Sequence, residues 1–199
     1  MKRLIVVIAL ALAAAGCGSS PKPKFYTLSP EAPAAATAAA SAPVGRPSVG
    51  VAAVTLPEAV DRPQLVNRTA ANEVAIAQQH RWAGPLKDEV PRVLAENLSR
   101  LTGNPQVAAH PSAAATGADY RVRVDFQRFD GTAGGDVVLE ALWTVQSAGG
   151  EVLSAGRSAA REPTGAAGFD ALAAAYSRAL AKLAGYIAPA VKDLPAAKR

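Results

Sequence analysis

Few side chains in this 199-residue sequence could do chemistry on their own. There is one cysteine, Cys17, and there are two histidines, His80 and His110. A thiolate zinc cluster needs several cysteines, and a histidine-built centre needs more convergent ligands than these, so neither a metal nor a cofactor is expected. One cysteine also excludes an internal disulfide. The sequence contains no Gly-x-Ser-x-Gly elbow, no His-Glu-x-x-His pair, no phosphate-cradling glycine loop and no dinucleotide fingerprint. His80 stands beside Arg81 with no nucleophile or orienting carboxylate indicated by spacing. His110 precedes Pro111 in an Ala/Ser-rich stretch. Both are read as structural or surface residues, and the chain as no enzyme.

Cys17 is the exception, because of where it stands. Lys2 and Arg3 precede an apolar run over residues 4–15, which is the layout of a secretory signal. The run is too short for a bilayer-spanning helix, which needs about 20 residues. It ends in Leu12-Ala13-Ala14-Ala15-Gly16-Cys17, which resembles the bacterial lipobox, with Ala14 where leucine is commoner. The expectation is a leader of residues 1–16, cleavage before Cys17, and acylation of the cysteine sulfur. Each buried acyl methylene contributes about 0.8 kcal/mol, so two or three chains hold a protein at a membrane without spanning it. Gly18 occupies the position where aspartate is the usual inner-membrane retention signal in enteric-type bacteria. Sorting to the periplasmic face of the outer membrane is therefore expected rather than inner-membrane retention. Removal of Lys2 and Arg3 with the leader leaves 19 basic against 16 acidic side chains, too mild an excess to imply nucleic acid.

Half of the chain is apolar, but 47 residues are alanine, so the large core-forming side chains suffice for one modest domain. Residues 29–48 carry four prolines and almost no bulky apolar side chain, which predicts a tether over 17–48. The folded domain is expected over 49–189, with a flexible tail at 190–199. Val49, Val51 and Val54 suggest a strand, and residues 64–68 and 73–78 a hairpin. Leu86, Val90, Val93, Leu94, Leu98 and Leu101 recur at helical spacing, with a start near Asp88 that places Pro91 in the first turn and a stop at Gly103. Tyr120, Val122, Val124 and Phe126 alternate with polar residues. Two more strands follow, over 136–146 and 151–161, as an antiparallel meander. A second helix is expected over 168–188. The predicted fold is α+β: a mainly antiparallel sheet with two principal helices on one face, in a two-layer sandwich.

Contact residues are sought where bulk or charge lacks a role in that core. Phe25, Tyr26 and Leu28 stand alone before the tether, suited to add a strand to the domain or to a partner edge, or to touch the membrane. Arg121 and Arg123 share an outer sheet face and, with Arg128, form a candidate basic stripe for anionic headgroups or an acidic partner. Val138 and Leu142 lie on the same outer side of the neighbouring strand as a candidate apolar strip.

Four strings carry a family resemblance: FYTLSP at 25–30, VTLPEAVDRPQLVNR at 54–68, HRWAGPLKDEV at 80–90 and RVLAENLSRL at 92–101. The most specific part is the succession Leu56-Pro57, Asp61-Arg62-Pro63-Gln64, Arg81-Trp82 and Pro85-Leu86. The chain resembles the ABC-type transport auxiliary lipoproteins, also called the PqiC family. The resemblance implies a periplasm-facing accessory to MCE-domain proteins, which form conduits for lipid between Gram-negative membranes, and a part in envelope integrity. It brings no catalytic residues. Within it, Asp61 and Arg62 are expected to fix the turn before Gln64, and Trp82 to anchor the helix entrance. Two other functions stay open: a periplasmic lipid-binding carrier with its own apolar pocket, and an envelope hydrolase. Homo-oligomerisation around a conduit is open as well.

Overall fold

The computed structural model describes residues 22–32 and 46–196. The leader, Cys17, residues 33–45 of the expected tether and the last three residues lie outside the described residues. The fold is α+β, with eight strands among the described residues and two principal helices, but the strands divide into two sheets.

The larger sheet has five strands. Its body is the expected meander: β6 (Tyr120–Gly131), β7 (Asp136–Ser147) and β8 (Val152–Pro163), paired antiparallel in that order. Along β6 and β7, Val122, Val124, Phe126, Val137, Leu139, Ala141 and Val145 are buried, as the period-two pattern dictates for a sheet with one covered face. β2 (Val49–Val51) joins the other side of β6 in parallel, and β5 (Val107–Ala109) pairs in parallel with β2. Gly50 is required here: a Cβ on it would stand 2.1 Å from the carbonyl oxygen of Ala115, in the short helix α2 (Ala113–Thr116) that crosses it.

The smaller sheet is built on the predicted hairpin, β3 (Gln64–Ala70) and β4 (Glu73–Trp82), with β1 (Lys24–Tyr26) parallel to the last three residues of β4. The expected single sheet is thus corrected to two. The hairpin meets β6 and the turn after it through side chains, Arg68 to Asp130 and Asn67 to the amide of Ala133, with no ladder between the sheets. The parallel pairings between strands are each three residues long, so antiparallel pairing still dominates.

The principal helices, α1 (Leu86–Thr102) and α3 (Phe169–Lys192), pack on each other, α1 over β2 and β5 and α3 over β7 and β8. Both differ from expectation at one end. α1 starts at Leu86 because Pro85 is fixed in extended geometry and its carbonyl accepts from the amides of Asp88 and Glu89; Asp88 is therefore inside the helix and not at its start. Pro91 consequently lies beyond the first turn and cannot give the carbonyl of Lys87 its usual i+4 hydrogen bond, next to an exposed side chain. α3 continues through Pro189 to Lys192, because Val191 extends the stripe of Leu180, Leu183 and Ile187 into the core. The tail expected from 190 thus begins as helix, and the Pro195 carbonyl accepts from the Tyr120 hydroxyl at 3.1 Å.

The segment before the prolines also departs from the expected tether. Leu28 is 1% exposed and Ala32 is buried. Ser29 N donates to Ser177 Oγ at 3.0 Å and Ala32 N to Asn97 Oδ1 at 2.9 Å, while Arg92 and Arg100 of α1 donate to the carbonyls of Leu28 and Pro30. An apolar anchor and four hydrogen bonds hold residues 28–32 on the two helices, which offsets the ordering cost that the alanine-rich composition suggested.

Candidate functional site

The family-motif residues, separated by some twenty positions in sequence, converge at the entrance to α1. The Pro57 carbonyl accepts from Val60 N and closes a turn that returns the chain from β6, with Leu56 buried beneath it. Asp61 reaches across to Lys87 Nζ at 2.6 Å, so the turn is tied to α1 rather than to its neighbour Arg62. Trp82 N donates to the Pro63 carbonyl at 2.7 Å, and Gln64 lies opposite Arg81 where the hairpin begins. The Trp82 ring is buried edge-on to Tyr176 of α3, with centroids 5.8 Å apart. Between the two motif segments is a cavity of about 310 Å³ lined by Asp61, Arg62, Pro63, Trp82, Pro85 and Leu86. The Arg62 Nε is buried there without a hydrogen-bond partner. The cavity has neither a nucleophile nor a paired acid and base. Its residues lie where hairpin and helix meet, with Trp82 buried at that corner.

The outer face of the larger sheet is ionic. Arg68 from β3 grips Asp130 through Nε–Oδ2 and Nη2–Oδ1, both 2.9 Å, and Arg128 Nε adds a third contact at 2.7 Å. Burial alone would raise the Asp130 carboxyl, but the hydrogen bonds and charges of Arg68 and Arg128 outweigh it and hold the group below the usual carboxylate range. The Tyr176 phenol beneath is pushed far above its ordinary value by burial and by the Asp130 charge. A groove of about 570 Å³ runs over this network, lined by Arg68, Arg128, Asp136, Val138, Glu140 and Arg161 among others.

The network changes the expected basic stripe and apolar strip. A bulge between Phe126 and Arg128 keeps Arg128 outward, where it pairs with Asp130 and Glu140 instead of extending the charge of Arg121 and Arg123. Arg121 turns back to the Thr116 carbonyl at 2.9 Å, and Arg123 is exposed. Val138 and Leu142 share the outer face, but Glu140 stands between them and binds Arg128 and Arg157. Val138 therefore belongs to the ionic groove. Leu142, 43% exposed, belongs to a separate cleft of about 360 Å³ with Arg123, Asp125 and Trp143.

At the N-terminal strand the three candidates part company. Phe25 is 61% exposed, whereas Leu28 is buried in the core and is not available for contact. Tyr26 is half-buried, its hydroxyl 2.7 Å from His80 Nδ1, and the His80 ring stacks on Phe169 at 4.1 Å. The imidazole is thus a packing element between β1 and α3, a role that no spacing in the sequence announced. Among the described residues no group of three or more His, Cys, Asp and Glu is placed to hold a metal ion, and no helix is long and apolar enough to cross a membrane. Cys17 lies outside the described residues.

Residues 26–188 match the family model of the ABC-type transport auxiliary lipoprotein component. No curated protein matches the sequence significantly. Among solved structures, one of an uncharacterized protein is 21% identical, with a TM-score of 0.67 over 86% of this chain and 99% of that one. A protein from Xanthomonas campestris is 15% identical, with a TM-score of 0.62 over 82% of this chain and 92% of its own. A PelC dodecamer from Paraburkholderia phytofirmans is 14% identical, with a TM-score of 0.46 over 83% and 95%. The first two likenesses show a shared fold, and the third is too distant to bear on assembly.

Proposed function

Since this chain belongs to the ABC-type transport auxiliary lipoprotein component family, we propose that it is a non-enzymatic, lipid-anchored adaptor of an MCE-type intermembrane lipid transport system. Its leader of residues 1–16 is removed, Cys17 carries the acyl chains, and the domain stands on the periplasmic face of the outer membrane. There it positions the MCE-domain conduit and supports envelope integrity.

The observation that carries this reading is the family match over residues 26–188, which begins nine residues after the only cysteine of the sequence. The surfaces described above suit an adaptor. They offer an ionic groove, a cleft beside Leu142 and an exposed aromatic on β1, with no constellation that would turn over a substrate.

The test is in cells. Replacing Cys17 by serine is expected to block acylation and leave the leader unprocessed, with the protein lost from the outer-membrane fraction. Photoreactive groups at Arg123 and Leu142 are expected to crosslink an MCE-domain protein. A Cys17→Ser variant that stays particulate with a trimmed leader refutes the anchor. Absence of any MCE crosslink, with unchanged envelope sensitivity on deletion, refutes the adaptor role. Lipid extracted in stoichiometric amount from purified protein would favour a carrier instead.

A further inference from the structure

β1 covers only part of β4. Its three residues pair in parallel with His80, Arg81 and Trp82, so residues 73–79 of β4 have no strand on that side among the described residues, while residues 73–77 pair with β3 on the other. Because the pairing is parallel, the direction from Tyr26 back to Lys24 is the direction from Trp82 back toward Glu73, the tip of the hairpin. Cys17 precedes Lys24 by seven residues, and seven residues span at most about 25 Å. The part of β4 before His80, seven residues from 73 to 79, measures about 23 Å. Acyl chains on Cys17 therefore enter the bilayer within about one hairpin length of Lys24.

The surface within that reach is unusual for this protein. Seven large apolar side chains are exposed among the described residues, and three of them belong to this small sheet: Phe25 at 61%, Val74 at 44% and Ile76 at 40%. Lys22 and Lys24 are exposed on the segment that carries Phe25, and Glu73 is the hairpin's one carboxylate. Exposed aromatic and aliphatic side chains flanked by lysines suit the headgroup layer of an anionic bilayer.

We infer that β1 and the β3–β4 hairpin are the membrane-facing surface of this protein, with Phe25, Val74 and Ile76 seated in the headgroup region of the bilayer that holds the Cys17 lipid. The inference rests on the acylation of Cys17 proposed above. It orients the molecule: the hairpin faces lipid, and the short leash from Cys17 holds the domain close to the bilayer instead of well above it.

The test uses full-length lipidated protein in vesicles of phosphatidylethanolamine and phosphatidylglycerol. An environment-sensitive fluorophore is attached to a single introduced thiol in Val74→Cys or Ile76→Cys, and in Leu153→Cys as the reference on β8; Cys17 is acylated and does not react. With doxyl-labelled lipid present, the probes at 74 and 76 are expected to be quenched severalfold more than the probe at 153. Equal quenching at all three positions in acylated, vesicle-bound protein overturns the inference and leaves the anchor standing. Mass analysis finding Cys17 unmodified removes both together.

Discussion

The Arg68 guanidinium binds both oxygens of the Asp130 carboxylate, making two hydrogen bonds of 2.9 Å from β3 to β6. No ladder joins the two sheets, so this pair, together with the Asn67 side chain on Ala133 N and the rings of Trp82 and Phe129 against Tyr176, couples the hairpin to the body of the domain. Paired hydrogen bonds fix an orientation as well as a distance. The hairpin that we place on the membrane is thereby held rigidly to the sheet whose outer face offers the ionic groove.

Asp130→Asn is expected to lower unfolding stability by about 1–2 kcal/mol, the worth of charge-assisted hydrogen bonds reduced for a pair that water partly reaches. The pH dependence carries the signature. The native pKa of Asp130 is depressed, so its contribution is fully present above the unfolded carboxylate value of about 3.9 and is lost as pH falls through the lower native value. Urea unfolding between pH 7 and pH 2.5 is expected to show the gap between wild type and variant narrowing over the acid end. A gap that stays constant across that range would mean that the pair is not what the substitution removes.

Two glycines predict opposite signs. Gly50→Ala puts a methyl against the Ala115 carbonyl at 2.1 Å, backbone that cannot swing aside, so α2 must shift and stability falls by about 1–3 kcal/mol. Gly185, within α3, has open space where a methyl would stand, and Gly185→Ala raises stability by up to about 1 kcal/mol through helix propensity. Thermal unfolding of the two variants alongside wild type checks both.

Asp119 closes the start of β2 onto β6. Its Oδ2 accepts from Ser48 N at 2.8 Å and Ser48 Oγ at 2.7 Å, and its own amide donates back to Ser48 Oγ at 3.0 Å. Those hydrogen bonds hold the carboxyl below its ordinary value. A double-mutant cycle on Ser48→Ala and Asp119→Ala is expected to give a coupling of about 1 kcal/mol at pH 7 that fades as pH falls below about 4. The exposed Arg161–Asp136 pair is expected to give almost none, because its partners are solvated in the unfolded and folded states alike.

What could be read from the sequence is what one-dimensional patterns encode. The alternation in β6 and β7 and the apolar stripes of α1 and α3 follow from one covered face each, and the Gly103 stop from a left-handed φ of 65°. The misses have a common cause, since each is decided by a partner distant in sequence. β5 is three residues long, too short to show alternation, and exists because β2 is beside it. The end of α3 lies past the expected 188 because the burial of Val191 outweighs the break that Pro189 would otherwise impose. The motif residues are visible as a succession, but their meeting around one cavity depends on the hairpin that brings Pro63 to Trp82. Arg68 and Asp130 carry no signal, standing 62 positions apart with no shared motif.

Leu28 is the substitution that separates a docked N-terminus from a loose one. Its side chain is 1% exposed, and the chain around it is held by Arg92 on its carbonyl and by Ser177 on the next amide. Leu28→Ala removes most of an apolar anchor and leaves a cavity beside α1 and α3, at a cost of about 2–4 kcal/mol. Because β1 pairs through only three residues, it has little to hold it once that anchor weakens, and local release should precede global unfolding. Trypsin reports the difference: cleavage after Lys24 is expected to quicken in Leu28→Ala while the arginines of β6 stay protected. In lipidated protein the same change lengthens the leash from Cys17, since the first contacts left to hold the segment are then those at Pro30 and Ala32, beyond β1. The probe at position 74 should accordingly lose its quenching by doxyl lipid although the protein stays on the vesicle. Unchanged trypsin cleavage together with unchanged quenching would place the attachment of the N-terminal segment elsewhere than at Leu28.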